Sequence, residues 1–133
     1  MAERKRHPRV AVDGLVVHGD KLVTVRRGHE PFRGLLALPG GFVELGEPVE
    51  DAVVREVREE TGLETHVVRL VGVFSDPKRD PRGHVVSAAY VLEETGGRLR
   101  AGNDAAEVVL VDPDDVPPMA FDHREIVRRW RAA

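Results

Sequence analysis

Cysteine is absent from the 133 residues. That excludes disulfides, thiolate metal sites and a cysteine nucleophile together. Aromatic side chains are scarce, with four Phe, one Trp and one Tyr, so a core has to be built mainly from aliphatic residues. No stretch approaches the ~20 apolar residues of a membrane span. The opening run MAERKRHPR contains no apolar segment and is expected to be a basic arm rather than a secretory leader. One-sided charge is missing too. Twenty basic and 23 acidic side chains leave a net −3, a balance that advertises neither nucleic acid nor a membrane surface as a partner. What is present is 41% hydrophobic and 32% charged, the composition of a soluble, cytoplasmic globular domain. The length fits one domain, expected over residues 10–133 behind an arm of residues 1–9. Its chemistry has to come from Asp, Glu, His, Ser, Thr, Arg or Lys.

Val10 to Val17 and Lys21 to Arg26 are β-rich runs joined by His18-Gly19-Asp20, the spacing of a hairpin. Leu35 to Leu38 and Phe42-Val43 flank a sharp turn at Pro39-Gly40-Gly41. Strands are expected over Thr65 to Phe74, His84 to Leu92 and Glu107 to Val111, with Gly96-Gly97 and Gly102-Asn103 as breaks between the last two. A helix is expected from Phe121 to Arg131. Strands and helices are mixed irregularly, which predicts an α+β class or a mixed-sheet sandwich rather than regular βαβ winding.

The segment from Pro48 to Thr61 is helical in pattern, with Pro48 suited to the first helical position and Gly62 to the stop. Taking Glu56 as origin at about 100° per residue, Val49, Val53 and Val57 fall at about 20°, 60° and 100°, and Ala52 at about −40°. Glu60 at about 40° and Glu59 at about −60° lie in or beside this apolar stripe, whereas Arg58 and Asp51 hold the opposite face. Carboxylates crowded beside a buried stripe repel one another, and partial burial raises the cost of each charge. Two remedies remain. Either the groups take up protons, or Glu56, Glu59 and Glu60 share a hard divalent cation such as Mg²⁺ or Mn²⁺, completed by water and substrate phosphates. Arg55, one turn before Glu59, is placed for an i,i+4 ion pair. Residues 44–64 hold eight acids and two bases, so the negative charge sits where cations would bridge the protein to a phosphorylated substrate.

Gly41, Glu47 and the run Arg55-Glu56-Val57-Arg58-Glu59-Glu60-Thr61-Gly62-Leu63 reproduce the Nudix box, so the chain resembles the Nudix hydrolase family. The resemblance implies a Nudix-type α/β/α sandwich with a mixed β-sheet. It also implies divalent-metal-dependent hydrolysis of a nucleoside diphosphate linked to another group. Carried onto this sequence, Glu56, Glu59 and Glu60 are the expected metal ligands and Arg55 orients a carboxylate. Glu47 supports from outside, and a backbone oxygen of the Gly40-Gly41 turn is within reach of a metal, with Gly41 as the candidate. Metal screens the phosphate oxygens and activates water, and a carboxylate accepts the proton. Glu107 is the downstream candidate for that base; its alternative is an exposed acid at the start of a strand.

Val73 to Tyr90, with Ser-Asp-Pro…Asp-Pro-Arg-Gly-His, resembles the ADP-ribose pyrophosphatase-like subgroup, as do Arg26 to Phe32 and Phe121-Asp122-His123. A Trp common in that subgroup before Ala-Leu-Pro-Gly-Gly is Leu36 here. Arg27, Arg79 and Arg82 are candidate phosphate donors, set against an intraloop charge network with Asp76 and Asp80. His84 is a candidate substrate contact or a structural histidine. Phe32, Phe74 and Phe121 are candidates either for stacking on adenine or for core packing. No serine elbow accompanies His123, so a Ser/His/Asp triad is rejected. The implied reaction takes ADP-ribose to AMP and ribose 5-phosphate. Its alternatives are a nucleoside triphosphate pyrophosphohydrolase and a non-catalytic ADP-ribose sensor. The resemblance also admits a homodimer.

Overall fold

The structure is a computed structural model and describes residues 6–102 and 105–133, without the side chains of residues 105 and 106. Seven strands form one mixed sheet: β1 (Arg9–His18), β2 (Lys21–Arg27), β3 (Leu36–Ala37), β4 (Gly40–Phe42), β5 (Leu63–Phe74), β6 (Val85–Gly97) and β7 (Ala105–Val111). Helices α1 (Val49–Thr61) and α2 (His123–Ala132) complete the order. The sheet runs β3-β2-β1-β6-β5, with β4 added to β1 and β7 to β2. Among the described residues, β1 and β6 are the one parallel pair of strands. Arg9, placed in the arm by the sequence reading, is the first residue of β1, and residues 1–5 of that arm lie outside the described residues.

Alternation along β1 sorts the core into two layers, because successive strand side chains point to opposite faces. Val12 and Val16 pack with Ala52, Val53 and Val57 of α1. Leu15 packs on the other face with Ile126 and Val127 of α2. Gly14 lets α1 come close, since a Cβ there would lie 2.8 Å from Val57 Cγ2. The expected sandwich is therefore present.

α1 follows its apolar stripe: Ala52, Val53 and Val57 are fully buried, whereas Asp51 and Arg58 face solvent. Pro48 caps the helix in extended geometry rather than occupying its first turn. Gly62 ends it in the left-handed region at φ 80°, a conformation that glycine adopts without a Cβ penalty.

The β1–β2 hairpin exists but is short. Strand pairing is confined to Val17↔Leu22 and His18↔Lys21. Beyond those rungs β2 turns to β7 and β3, while β1 turns to β6 and β4. The strands split, and the chain from β3 to β4 fills the opening with its Leu38-Pro39 link. The break expected at Gly96-Gly97 is instead the end of β6, paired with Glu64 and Leu63.

Candidate active site

A cleft opens where β1 and β2 part. Its inner half is lined by Asp13, Arg27, Leu38, Gly40, Glu60 and His123, among others. Its outer half shares Arg27, Gly40, Gly41, Glu60 and Arg82 with the inner half and adds Arg9, Arg55 and Glu56. One wall is α1 and the opposite rim is arginine.

Arg55 organises the α1 wall. Its guanidinium clasps Glu47 through Nε at 2.7 Å and Nη2 at 2.9 Å, and donates to the Phe42 carbonyl at 3.2 Å. Nη1 reaches Glu56 at 2.8 Å and Glu59 at 3.2 Å. The expected i,i+4 pair is therefore one arm of a larger hub. The two-pronged bond to Arg55 holds the Glu47 carboxyl down at about 2.

Glu56 and Glu60 behave in the opposite way. Burial and then repulsion from Glu56 push Glu60 up to about 8, although the Gly40 N–H donates to it at 3.0 Å. Burial also raises Glu56, despite its bond to Arg55. Gly41 has no room for a side chain: a Cβ would stand 2.7 Å from the Glu56 carboxyl carbon. Gly40 is equally constrained, since its Cβ would meet the Val12 carbonyl oxygen and Asp13 Oδ1. Two partly buried carboxylates thus face a strand whose glycines bring backbone close to them.

Among the described residues no three His, Asp or Glu side chains converge into a ready metal cage. Glu56 and Glu60 line the cleft, whereas Glu59 is turned to Arg55 outside it. The donor set nevertheless fits a hard divalent cation. All the candidate donors are oxygens, Glu56 repels Glu60, and the missing Cβ of Gly41 leaves the approach clear.

Behind this wall lies a second polar group that the sequence reading missed. Asp13 is 5% exposed. Its Oδ2 accepts from Ser87 Oγ at 2.5 Å and lies 3.8 Å from Arg79 Nη2; His123 Nε2 is 3.2 Å from Oδ1. Burial works against the Asp13 carboxylate, but His123, Ser87 and Arg79 outweigh it and hold the group below its ordinary range. A lone carboxylate inside VAVDGLVV was the available signal, because a buried charge in a strand core demands partners.

The other candidates divide. Arg79 lines the inner cleft but is buried, and its guanidinium clasps Asp122 through two bonds of 2.9 and 2.6 Å, while Asp76 meets it through the backbone alone, its carbonyl accepting from the Arg79 N–H at 3.1 Å. Arg82 does bond Asp80, as the intraloop alternative expected, while its half-exposed guanidinium lies 5.0 Å from the Phe42 ring. Arg27 donates to the Pro31 carbonyl at 2.6 Å and lies 5.0 Å from the Phe121 ring. Phe121 lines the cleft and packs edge-on against Phe32, whereas Phe74 belongs to the α2-side core. His84 is exposed, bonds the Ser75 carbonyl at 3.0 Å and stands outside both halves of the cleft. Glu107 stands outside them as well; it lies within β7, exposed and bonded to Arg26.

Residues 7–130 match the NUDIX domain family. A protein of Methanocaldococcus jannaschii named ADP-ribose pyrophosphatase is 52% identical over 128 residues, covering 94% of this chain and 76% of its own length. Among solved structures, the NUDIX domain of Shewanella oneidensis NrtR complexed with ADP ribose superposes with a TM-score of 0.86 at 26% identity, covering 96% of this chain and 89% of that one. A MutT/nudix family protein from Enterococcus faecalis gives a TM-score of 0.85 at 31% identity, covering 97% of this chain and 62% of that one. The domain match over nearly the whole chain, the 52% identity and the superposed fold together place it: the chain belongs to the Nudix family.

Proposed function

We propose that this Nudix domain hydrolyses ADP-ribose to AMP and ribose 5-phosphate, with Mg²⁺ as cofactor and Mn²⁺ as a substitute. The observation that carries the reading is the Glu56–Glu60 pair in a cleft rimmed by arginines, both raised by burial and Glu60 further by repulsion from Glu56. The archaeal relative's name and the ADP-ribose-bound neighbour support the choice of substrate.

Glu56, Glu60 and the backbone oxygen of Gly41 would hold the cation from the cleft, with Glu59, which Arg55 holds beside the cleft, as the third carboxylate of the box. When bound, the cation screens the phosphate oxygens and acidifies the attacking water. The chain's own residues do the rest. Arg55 fixes the directions of Glu56 and Glu59. Arg27 and Arg82 present charged donors to the diphosphate from the opposite rim. Asp13, His123 and Arg79 close the inner end of the cleft.

Incubation with ADP-ribose and Mg²⁺, with products identified by mass, tests the proposal. AMP and ribose 5-phosphate in equal amounts are expected. Release of inorganic pyrophosphate from nucleoside triphosphates, with ADP-ribose left intact, would overturn the choice of substrate.

A further inference from the structure

His123 is 4% exposed and makes two contacts that fix its tautomer. A backbone N–H only donates, so the 2.9 Å contact from Leu38 N makes imidazole Nδ1 an acceptor. The ring proton then resides on Nε2, which faces Asp13 Oδ1 at 3.2 Å. Asp13 is in turn occupied by Ser87 and Arg79, so its carboxylate stays ionised and keeps that tautomer in place.

Leu38 opens the link that leads into the glycine strand. The following Pro39 accepts from Gly14 N–H at 2.8 Å, which ties the link to β1. Pro39 has no N–H of its own, so the Leu38 N–H is the donor that anchors the link's other side. Two residues on, Gly40 N–H meets Glu60, and Gly41 lies against Glu56. A shift of a few tenths of an ångström in the link would therefore be felt at both carboxylates.

We infer that His123 is a positioning residue: by accepting the Leu38 N–H it sets where Gly40 and Gly41 stand, and through them where Glu56 and Glu60 are held. Its effect on turnover rests on the hydrolysis proposed above; its effect on the link does not. The imidazole touches neither the box acids nor the rim arginines directly through any hydrogen bond or ion pair among the described residues, so it acts through the backbone.

Two polar variants separate its contacts. His123→Asn places Oδ1 near the position of Nδ1 and keeps an acceptor for Leu38. His123→Gln places its amide nitrogen near Nε2, keeping a donor for Asp13 and offering Leu38 nothing. In the metal-free protein, amide exchange at Leu38 and Gly40 is expected to stay slow in wild type and His123→Asn, and to speed up in His123→Gln. With Mg²⁺ and ADP-ribose, His123→Gln is expected to lose about tenfold in kcat, with KM little changed and more Mg²⁺ needed for half-activation. His123→Asn is expected to keep most of the rate. Equal exchange in the two variants, or Gln outperforming Asn, overturns the inference. Should neither variant fold, nitrogen NMR of the wild-type imidazole decides: a proton on Nε2 with bare Nδ1 supports it, and a proton on Nδ1 overturns it. A wild type that leaves ADP-ribose intact while the exchange pattern holds would refute the proposed activity and leave the positioning role standing.

Discussion

Asp13 and Glu60 line the same cleft, both withdrawn from solvent, yet the protein treats them in opposite ways. Asp13 is surrounded by Ser87, His123 and Arg79, and its carboxyl is held below the ordinary range. Glu60 receives one backbone N–H and the distant help of Arg27, stands against Glu56, and is pushed up to about 8. Burial alone cannot explain the contrast, because it raises both groups. The difference is the supply of donors. Where the fold needs a carboxylate for structure it brings the compensating charge itself; where charge is left uncompensated, room remains for a cation from outside. Glu47 makes the same point inside the box, since its two-pronged bond to Arg55 removes it from the acids available to a metal.

Glu60 is where a single substitution should cost the most. Glu60→Gln is expected to reduce turnover by on the order of 10²-fold or more while the protein stays folded; steady-state kinetics beside a melting curve check it. Asp122→Ala strikes the other side. It removes the hydrogen-bonded partner of the buried Arg79 and leaves Asp13, at 3.8 Å, as its one remaining ion pair among the described residues, and is expected to cost about 3 kcal/mol in urea unfolding.

A pH series sharpens the contrast. The Glu60 value of about 8 lies above the 4.5 of an unperturbed glutamate, so between those values the folded state binds more protons than the unfolded state. Stability of the metal-free protein should therefore fall as pH rises through that window. Added Mg²⁺ is expected to restore the loss, and Glu60→Gln to flatten the dependence, both read by thermal melts. Glu47 has the reverse sign: its contribution is present above the ordinary glutamate range and fades as pH drops towards about 2. The smallest effect belongs to Glu107→Gln. With its carboxylate exposed on Arg26 and outside the cleft, rate and melting temperature are expected to stay near wild type.

Local signals carried much of this architecture. Pro48 and Gly62 bracket α1, and the valine stripe of α1 correctly placed Glu56 and Glu60 beside the buried face. Long-range partnership was not legible in the same way. Asp76 and Asp80 were the obvious neighbours of Arg79 in the chain, whereas the structure pairs it with Asp122, 43 residues away. The hairpin spacing gave β1 and β2 correctly but not their parting after two rungs, because that depends on the β3–β4 chain entering between them. His123 stood beside Asp122 in sequence, yet α2 turns it to Asp13. Pairings of this kind arise when separate elements dock, and no window along the chain contains them.

Glu60, pushed up to about 8, waits near neutrality with its proton on for a cation to take that proton's place. Calorimetric titration of Mn²⁺ into metal-free protein at pH 7, in buffers of different ionisation enthalpy, counts the protons released. About one proton per bound ion is expected for wild type, and that release should vanish in Glu60→Gln. Tight Mn²⁺ binding without proton release, unchanged by that substitution, would contradict the account.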